Sequence, residues 1–254
     1  EAYWNMYMCS LDIDEAIIIL NKLYKIDNNH TAARILLSGY KSFKENLDRF
    51  NNSLETSDAK HPYSRSIKWV LTLPNKPMIF FNRWDFFDAV GKLSERSRPF
   101  YEFGVWNGIS FKYLINIFKK GFGFDTFSGL PEEWNNHAKG TFSNDGEIPK
   151  INDGEFIKGK FEDTLPEFFS KERPMASVIN FDADLYSSTL CALNYSNKVI
   201  DEKTILIFDE LIMNENWEED EFKALNEFCD NLNISYEVIA ASFQTGQVAV
   251  KLNK

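Results

Sequence analysis

The sequence predicts an α/β protein: a doubly wound, Rossmann-like, mostly parallel sheet with an antiparallel strand at its C-terminal edge, preceded by a helical segment. Three observations predict it. From residue 100 onward, short apolar runs alternate with amphipathic stretches of helical length, the pattern of strand–helix–strand crossovers. The last two apolar runs are joined by a short turn at Thr245-Gly246 instead of a helix, so they pair antiparallel. Before residue 60 the apolar residues recur at the helical period.

At the N-terminal end, Ala16, Ile17, Leu20, Leu23 and Tyr24 lie on one face of a helix over 11–24, opened by Asp12 and Glu15 as a capping box. Asp27-Asn28-Asn29 ends it. A second helix over 31–54 returns antiparallel, with Ala32, Ile35, Leu36, Tyr40, Phe43 and Leu47 along one side. The stretch DIDEAIIILNKLYKIDNNHTAARILLSGY resembles a tetratricopeptide-type helical repeat. One repeat is visible where a solenoid needs about three, so the expected arrangement is a helical pair packed on the following domain. The alternative is the tail of a longer array. In either case these helices are the expected surface for a protein partner or a second copy of the chain. Domains are expected at 1–58 (the helical pair), 59–98 (a connector and substrate-side cap) and 99–254. Pro62, Pro74 and Pro77 punctuate the connector, and a short helix is expected over 84–93.

The third segment reads as strand 100–105, helix 108–119, strand 123–127, a long loop to about 154, strand 156–159 and helix 162–170. Strand 177–181, helix 186–199, strand 204–208, helix 218–231 and the final strands 236–240 and 247–252 follow.

The chain's 254 residues, 44% apolar with 23 Phe, 10 Tyr and 6 Trp, can bury a large core, which rules out disorder as its dominant state. Charge is uneven: up to residue 98 there are 14 basic and 12 acidic residues, and afterwards 14 and 26. Phosphate backbones are held by clustered Lys and Arg, so nucleic acid is not an expected partner. Cys9, Cys191 and Cys229 are odd in number and lack zinc-type spacing, as free thiols in a reducing compartment would be. The longest aliphatic run, 16–20, is too short to span a membrane, and no basic segment followed by an apolar one opens the chain. A cytoplasmic protein without membrane contact is expected.

Three motifs could carry chemistry. In FYEFGVWNGIS (100–110) a strand ends on Glu102 and passes through Gly104 and Gly108 into a helix, a turn that lets a ligand approach backbone N–H groups at the switch of an open sheet. Trp106 and Ile109 stand where the dinucleotide fingerprint needs its second and third glycines, which argues against NAD and a sugar-nucleotide oxidoreductase. Glu102 instead suits a ligand with a cationic amino group, such as the methionine part of S-adenosylmethionine. In GFGFDTFSGLP (121–131) a second strand ends on Asp125, about 20 residues on, where an acid can accept from both ribose hydroxyls. In INFDADLYSST (179–189) and TILIFDE (204–210), strands end in Asp182 and Asp184, and in Asp209 and Glu210. Four carboxylates at one sheet edge repel one another unless a proton or a hard cation, Mg²⁺ above all, compensates them, and one of the four could be left free as a general base.

FYEFGVWNGISFKYL, GFDTFSGLPEEW, KGKFEDTLPEF, INFDADLYSSTLCAL and ILIFDE, in that order, resemble the macrocin O-methyltransferase family, a branch of the class I S-adenosylmethionine-dependent methyltransferases. The similarity covers about residues 80–254. It implies a Mg²⁺-dependent O-methyltransferase acting on a hydroxyl of a small sugar-like or polyhydroxylated acceptor. Metal would sit on Asp182, Asp209 and Glu210, with Asp184 as the base. The family often has Asp-Asp where this chain has Asp209-Glu210. The cofactor would lie along Glu102, Gly104, Val105, Trp106, Gly108, Ser110, Asp125, Thr126, Phe127 and Asp182, with Gly159, Phe161 and Asp163 near the adenine. The loop 132–153 would be a mobile lid, and His137 within it is a second candidate base. The rival reading is a methyltransferase-like scaffold without catalysis, working through its N-terminal helices.

Overall fold

The computed structural model describes residues 1–253. Helices α1 (Ala2–Met8), α2 (Ile13–Ile26), α3 (Thr31–Lys44), α4 (Leu47–Ser53) and α5 (Pro62–Thr72) form the N-terminal part. Strand β1 (Met78–Ile79) and helix α6 (Arg83–Leu93) lead into the alternating region. There follow β2 (Phe100–Phe103), α7 (Ile109–Phe118), β3 (Gly121–Asp125), β4 (Gly154–Lys158), α8 (Phe161–Phe168) and β5 (Val178–Phe181). The chain continues through α9 (Tyr186–Ser196), β6 (Ile205–Phe208), α10 (Glu221–Leu232), β7 (Ser235–Ala241) and β8 (Val248–Asn253).

The strands form one sheet in the order β1-β7-β8-β6-β5-β2-β3-β4. Strand β8 runs against both its neighbours, and the other pairings are parallel. The hairpin predicted at the C-terminus is therefore present, with the two residues of β1 added outside it. From β2 the chain moves outward through β3 and β4, then crosses to the other side of β2 for β5 and β6. The switch point between β2 and β5 is where open α/β sheets bind ligands, at the carboxyl ends of the strands.

Phenylalanines in register floor that edge. Phe103 pairs with Phe124 and Phe181, and Phe181 with Phe208. Their rings stack at 4.8, 5.5 and 4.9 Å between centroids. Helices α6 and α7 cover the opposite face, packing Phe86, Phe87, Phe111 and Leu114 against Phe100, Val178 and Ile205. The N-terminal helices share a buried core with the first face, where Tyr40 stacks on Phe81 at 5.4 Å and bonds Tyr7 through their hydroxyls at 3.0 Å.

Several elements differ from the sequence reading, which left out α1 and β1. The second helix breaks after Lys44, because Asn46 turns the chain and accepts from Arg49 N to open α4. Helix α5 was hidden by Pro62, which stands in its first turn, where a missing N–H costs nothing; His61 caps it, accepting from Tyr63 N. Strand β3 starts two residues early, with Gly121 paired to Phe100 and Gly154, and a Cβ at Gly121 would stand 2.3 Å from the Phe100 ring.

Candidate active site

A cavity of about 420 Å³, within the range of small-molecule sites, opens at the carboxyl ends of β2, β3, β5 and β6. The glycine turn forms one wall. Gly104 has φ +92°, and a Cβ there would stand 1.7 Å from the carbonyl oxygen of Asp182, so β2 and β5 can approach this closely only with glycine. Asp125 holds the turn in place: Val105 N and Trp106 N each donate to its Oδ2 at 2.7 Å, and Phe127 N donates to its Oδ1 at 2.6 Å. A carboxylate offers about four lone-pair sites, so three are used by the protein's own backbone.

The acids at the ends of β5 and β6 form the facing wall. Asp182, Asp184, Asp209 and Glu210 all line the cavity. Asp184 sits at φ +63° in a tight turn closed by Leu185 N donating to Ala183 O at 2.6 Å. A non-glycine residue held there is strained, and strain of this kind gathers at working sites. Burial, helped by Asp209, Asp220 and Asp125, pushes its carboxyl up to about 7. Burial with Asp184 and Asp209 nearby pushes Glu210 up to about 8. Asp182 is raised well above the carboxylate range by burial and by Asp209. Burial also raises Asp209, against the pull of Arg83 and Gln247.

Arg83 is the main surprise of the site. Its Nη2 donates to Asp209 Oδ2 at 2.6 Å, while Gln247 Nε2 donates to Oδ1 at 2.7 Å. The sequence reading placed residue 83 in a connector; here it starts α6 and reaches the cavity with its neighbour Trp84. Lys160, Glu162, Leu130, Pro131 and Phe142 also line it.

Of the residues expected at the cofactor, Gly104, Val105, Trp106, Ser110, Asp125, Thr126, Phe161 and Asp182 line the cavity. Glu102, Gly108, Phe127, Gly159 and Asp163 do not. Glu102 lies within β2, paired with Asn180 of β5, fully buried. Asn180 Nδ2 donates to its Oε1 at 2.9 Å, its Oε2 has no partner among the described residues, and burial pushes its carboxyl up to about 8. Gly108 caps α7 at φ +78° under Pro149 and Ile151. Phe127 is core, against Phe156. Gly159 and Asp163 flank Lys160, Phe161 and Glu162, which line the cavity.

His137 also lies outside the cavity: it stacks on Trp134 at 5.6 Å and exchanges backbone hydrogen bonds with it. The loop that carries it is folded on itself. Trp134 is buried beside Leu130 and Leu185, and its Nε1 donates to Asp220 at 3.2 Å. Among the described residues no three His, Cys, Asp or Glu side chains are grouped as metal ligands, and no helix is long and apolar enough to cross a membrane.

No protein-family model matches the chain, and no curated protein matches it. Solved structures do. The calicheamicin methyltransferase CalS11 is similar over 90% of this chain and 93% of its own, at 15% identity and a TM-score of 0.53. The O-methyltransferase NovP is similar over 66% of this chain and 78% of its own, at 18% identity and a TM-score of 0.49. The fold is thus the Rossmann-like α/β fold of CalS11, with the cavity at its switch point.

Proposed function

We propose that the chain is an S-adenosylmethionine-dependent O-methyltransferase acting on a hydroxyl of a small, sugar-like or polyhydroxylated acceptor. The observation that carries this reading is the strained Asp184, facing a glycine turn across one cavity in a sheet with the topology of CalS11. S-adenosylmethionine would supply a methyl group on a sulfonium, with S-adenosylhomocysteine as the leaving product. The turn of Gly104, Val105 and Trp106, held by Asp125, would orient the methionine and ribose. Thr126, Lys160, Phe161 and Glu162 would flank the adenosine. Asp184 would take the proton from the acceptor hydroxyl as its oxygen bonds to the methyl carbon; a base near neutrality suits that task. Placing both reactants in one cavity would supply much of the acceleration.

Mg²⁺ belongs to this reading as its finer part. Asp182, Asp184, Asp209 and Glu210 are an all-oxygen donor set of the kind a hard cation takes, and although no three of them are grouped for coordination in this arrangement, their mutual repulsion at one cavity favours one. In this arrangement Arg83 is the cation paired with Asp209. Asp182, Asp209 and Glu210 would hold the ion, which when bound would lower the pKa of a nearby hydroxyl.

The test is transfer of a labelled methyl group from S-adenosylmethionine to a panel of hydroxylated acceptors, comparing the wild type with Asp184→Asn. Transfer should fall at least about 100-fold in the variant, the usual worth of a positioned base, with S-adenosylhomocysteine affinity unchanged. Equal turnover would remove Asp184 as the base.

A further inference from the structure

We propose that Trp84 is the platform on which the acceptor's ring lies, and that the cavity selects an acceptor bearing an amino group over a neutral one and excludes an anionic one. This rests on the methyltransferase reading above and names the acceptor class for the same site.

Trp84 is 38% exposed although it lines the cavity. Its ring is braced from behind by Tyr113 at 4.7 Å and by Phe87 at 6.3 Å, so it is fixed in place with area to spare. No residue among those described accepts a hydrogen bond from its indole nitrogen. Trp106, the other exposed indole, is already committed: its Nε1 donates to Ser143 O at 3.3 Å and its ring meets Phe142 at 5.7 Å. Position separates the two as well. Arg83, next to Trp84 in the chain, bonds Asp209 at the end of β6, on the acid-bearing side of the switch. Asp125, Lys160 and Phe161 come from the ends of β3 and β4, on the other side. A fixed indole with a free face takes the apolar face of a ring, and it attracts a cation set near that face.

The charge of the lining points the same way. Six carboxylates, from Asp125, Glu162, Asp182, Asp184, Asp209 and Glu210, face two cations, Arg83 and Lys160. A bound cation draws the protons off Asp182, Asp184 and Glu210, and with all six ionised the one net positive charge of S-adenosylmethionine and the two of a magnesium ion would still leave one net negative charge on this wall. A phosphate or carboxylate on the acceptor would meet like charge in a low-dielectric site, whereas an ammonium would meet opposite charge and an indole.

The experiment uses the full chain saturated with S-adenosylhomocysteine, whose own binding is measured first. Three probes with one ring are titrated calorimetrically: methyl glucoside, its 2-amino-2-deoxy counterpart and glucose 6-phosphate. The amine should bind tighter than the neutral glycoside, with the phosphate weakest. Trp84→Ala should weaken the amine at least about tenfold, a loss of about 1.4 kcal/mol, while Trp84→Phe should restore part of it and both variants keep S-adenosylhomocysteine affinity. The proposal is overturned if the phosphate binds as well as the amine, if the amine gains nothing over the neutral glycoside, if no probe binds at millimolar concentration, or if Trp84→Ala changes nothing. Failure of S-adenosylhomocysteine to bind, with the amine still held through Trp84, would remove the methyltransferase reading and leave the platform standing.

Discussion

Replacing Glu102 with glutamine should stabilise the ligand-free protein at neutral pH and leave it unchanged in acid. The carboxyl is fully buried, has only Asn180 and, with a smaller effect, Ser110 to favour its charge, and is pushed by burial from 4.5 up to about 8. A carboxyl raised in the folded state binds its proton more tightly there than in the unfolded chain. Its contribution is therefore intact below pH 4.5 and is lost as pH rises toward 8. Each pH unit in that window costs about 1.4 kcal/mol, so at pH 7 the wild type gives up about 3 kcal/mol that a neutral glutamine would keep. For a chain of this size that is a rise in Tm of about 10 °C. Glutamine has the same shape and can still accept from Asn180. The assay is thermal unfolding of both proteins across pH 4 to 8, where the gap in Tm should be near zero at the acid end and widen upward. A gap independent of pH, or a destabilised variant at neutral pH, would mean that Glu102 is ionised and paired in the fold, and the reasoning fails. If the unpartnered oxygen is kept for a cationic ligand, the same variant should bind S-adenosylmethionine more weakly, a stability gain at the expense of function.

Other expectations follow from the same geometry. Arg83→Met removes the cation from the buried Asp209 and should destabilise the protein by about 1–3 kcal/mol, below the full cost of breaking a buried pair because Arg83 is a third exposed. Added Mg²⁺ should raise Tm more in this variant than in the wild type, and an equal response in both would show that ion and guanidinium do not compete. Gly104→Ala puts a Cβ against the Asp182 carbonyl at positive φ and should cost more than about 2 kcal/mol in chemical denaturation, or prevent folding; a mild effect would mean that β2 and β5 can part there. Away from the site, Arg34→Met strands Asp58, which is buried and takes two hydrogen bonds from Arg34, and should cost about 3 kcal/mol. Unchanged stability would mean that Asp58 finds another partner.

Much of the fold was legible because the parallel strands are short apolar runs that end in acids. ILIF before Asp209 and VINF before Asp182 mark both the strand and its carboxyl end, so the four acids of the site could be placed together from sequence. The side-chain roles were less legible, because they depend on register. Glu102 reads as the end of its strand, yet β2 continues through Phe103, which leaves the carboxyl inside the sheet. Asp125 reads as a free acceptor, but its backbone bonds reach back 19 and 20 residues to the glycine turn. Arg83 has no local signal at all: its partner lies 126 residues away, and the segment around it reads as proline-broken connector. Trp84 shares that segment, and only its place beside the cavity distinguishes it from a core indole.

The central claim is that the switch-point cavity binds the methyl donor. It is tested most directly by calorimetric titration of the full chain with S-adenosylhomocysteine, which needs neither acceptor nor turnover. The account predicts one site per chain with micromolar affinity, retained in Asp184→Asn; absence of binding at millimolar ligand, with and without Mg²⁺, would contradict it.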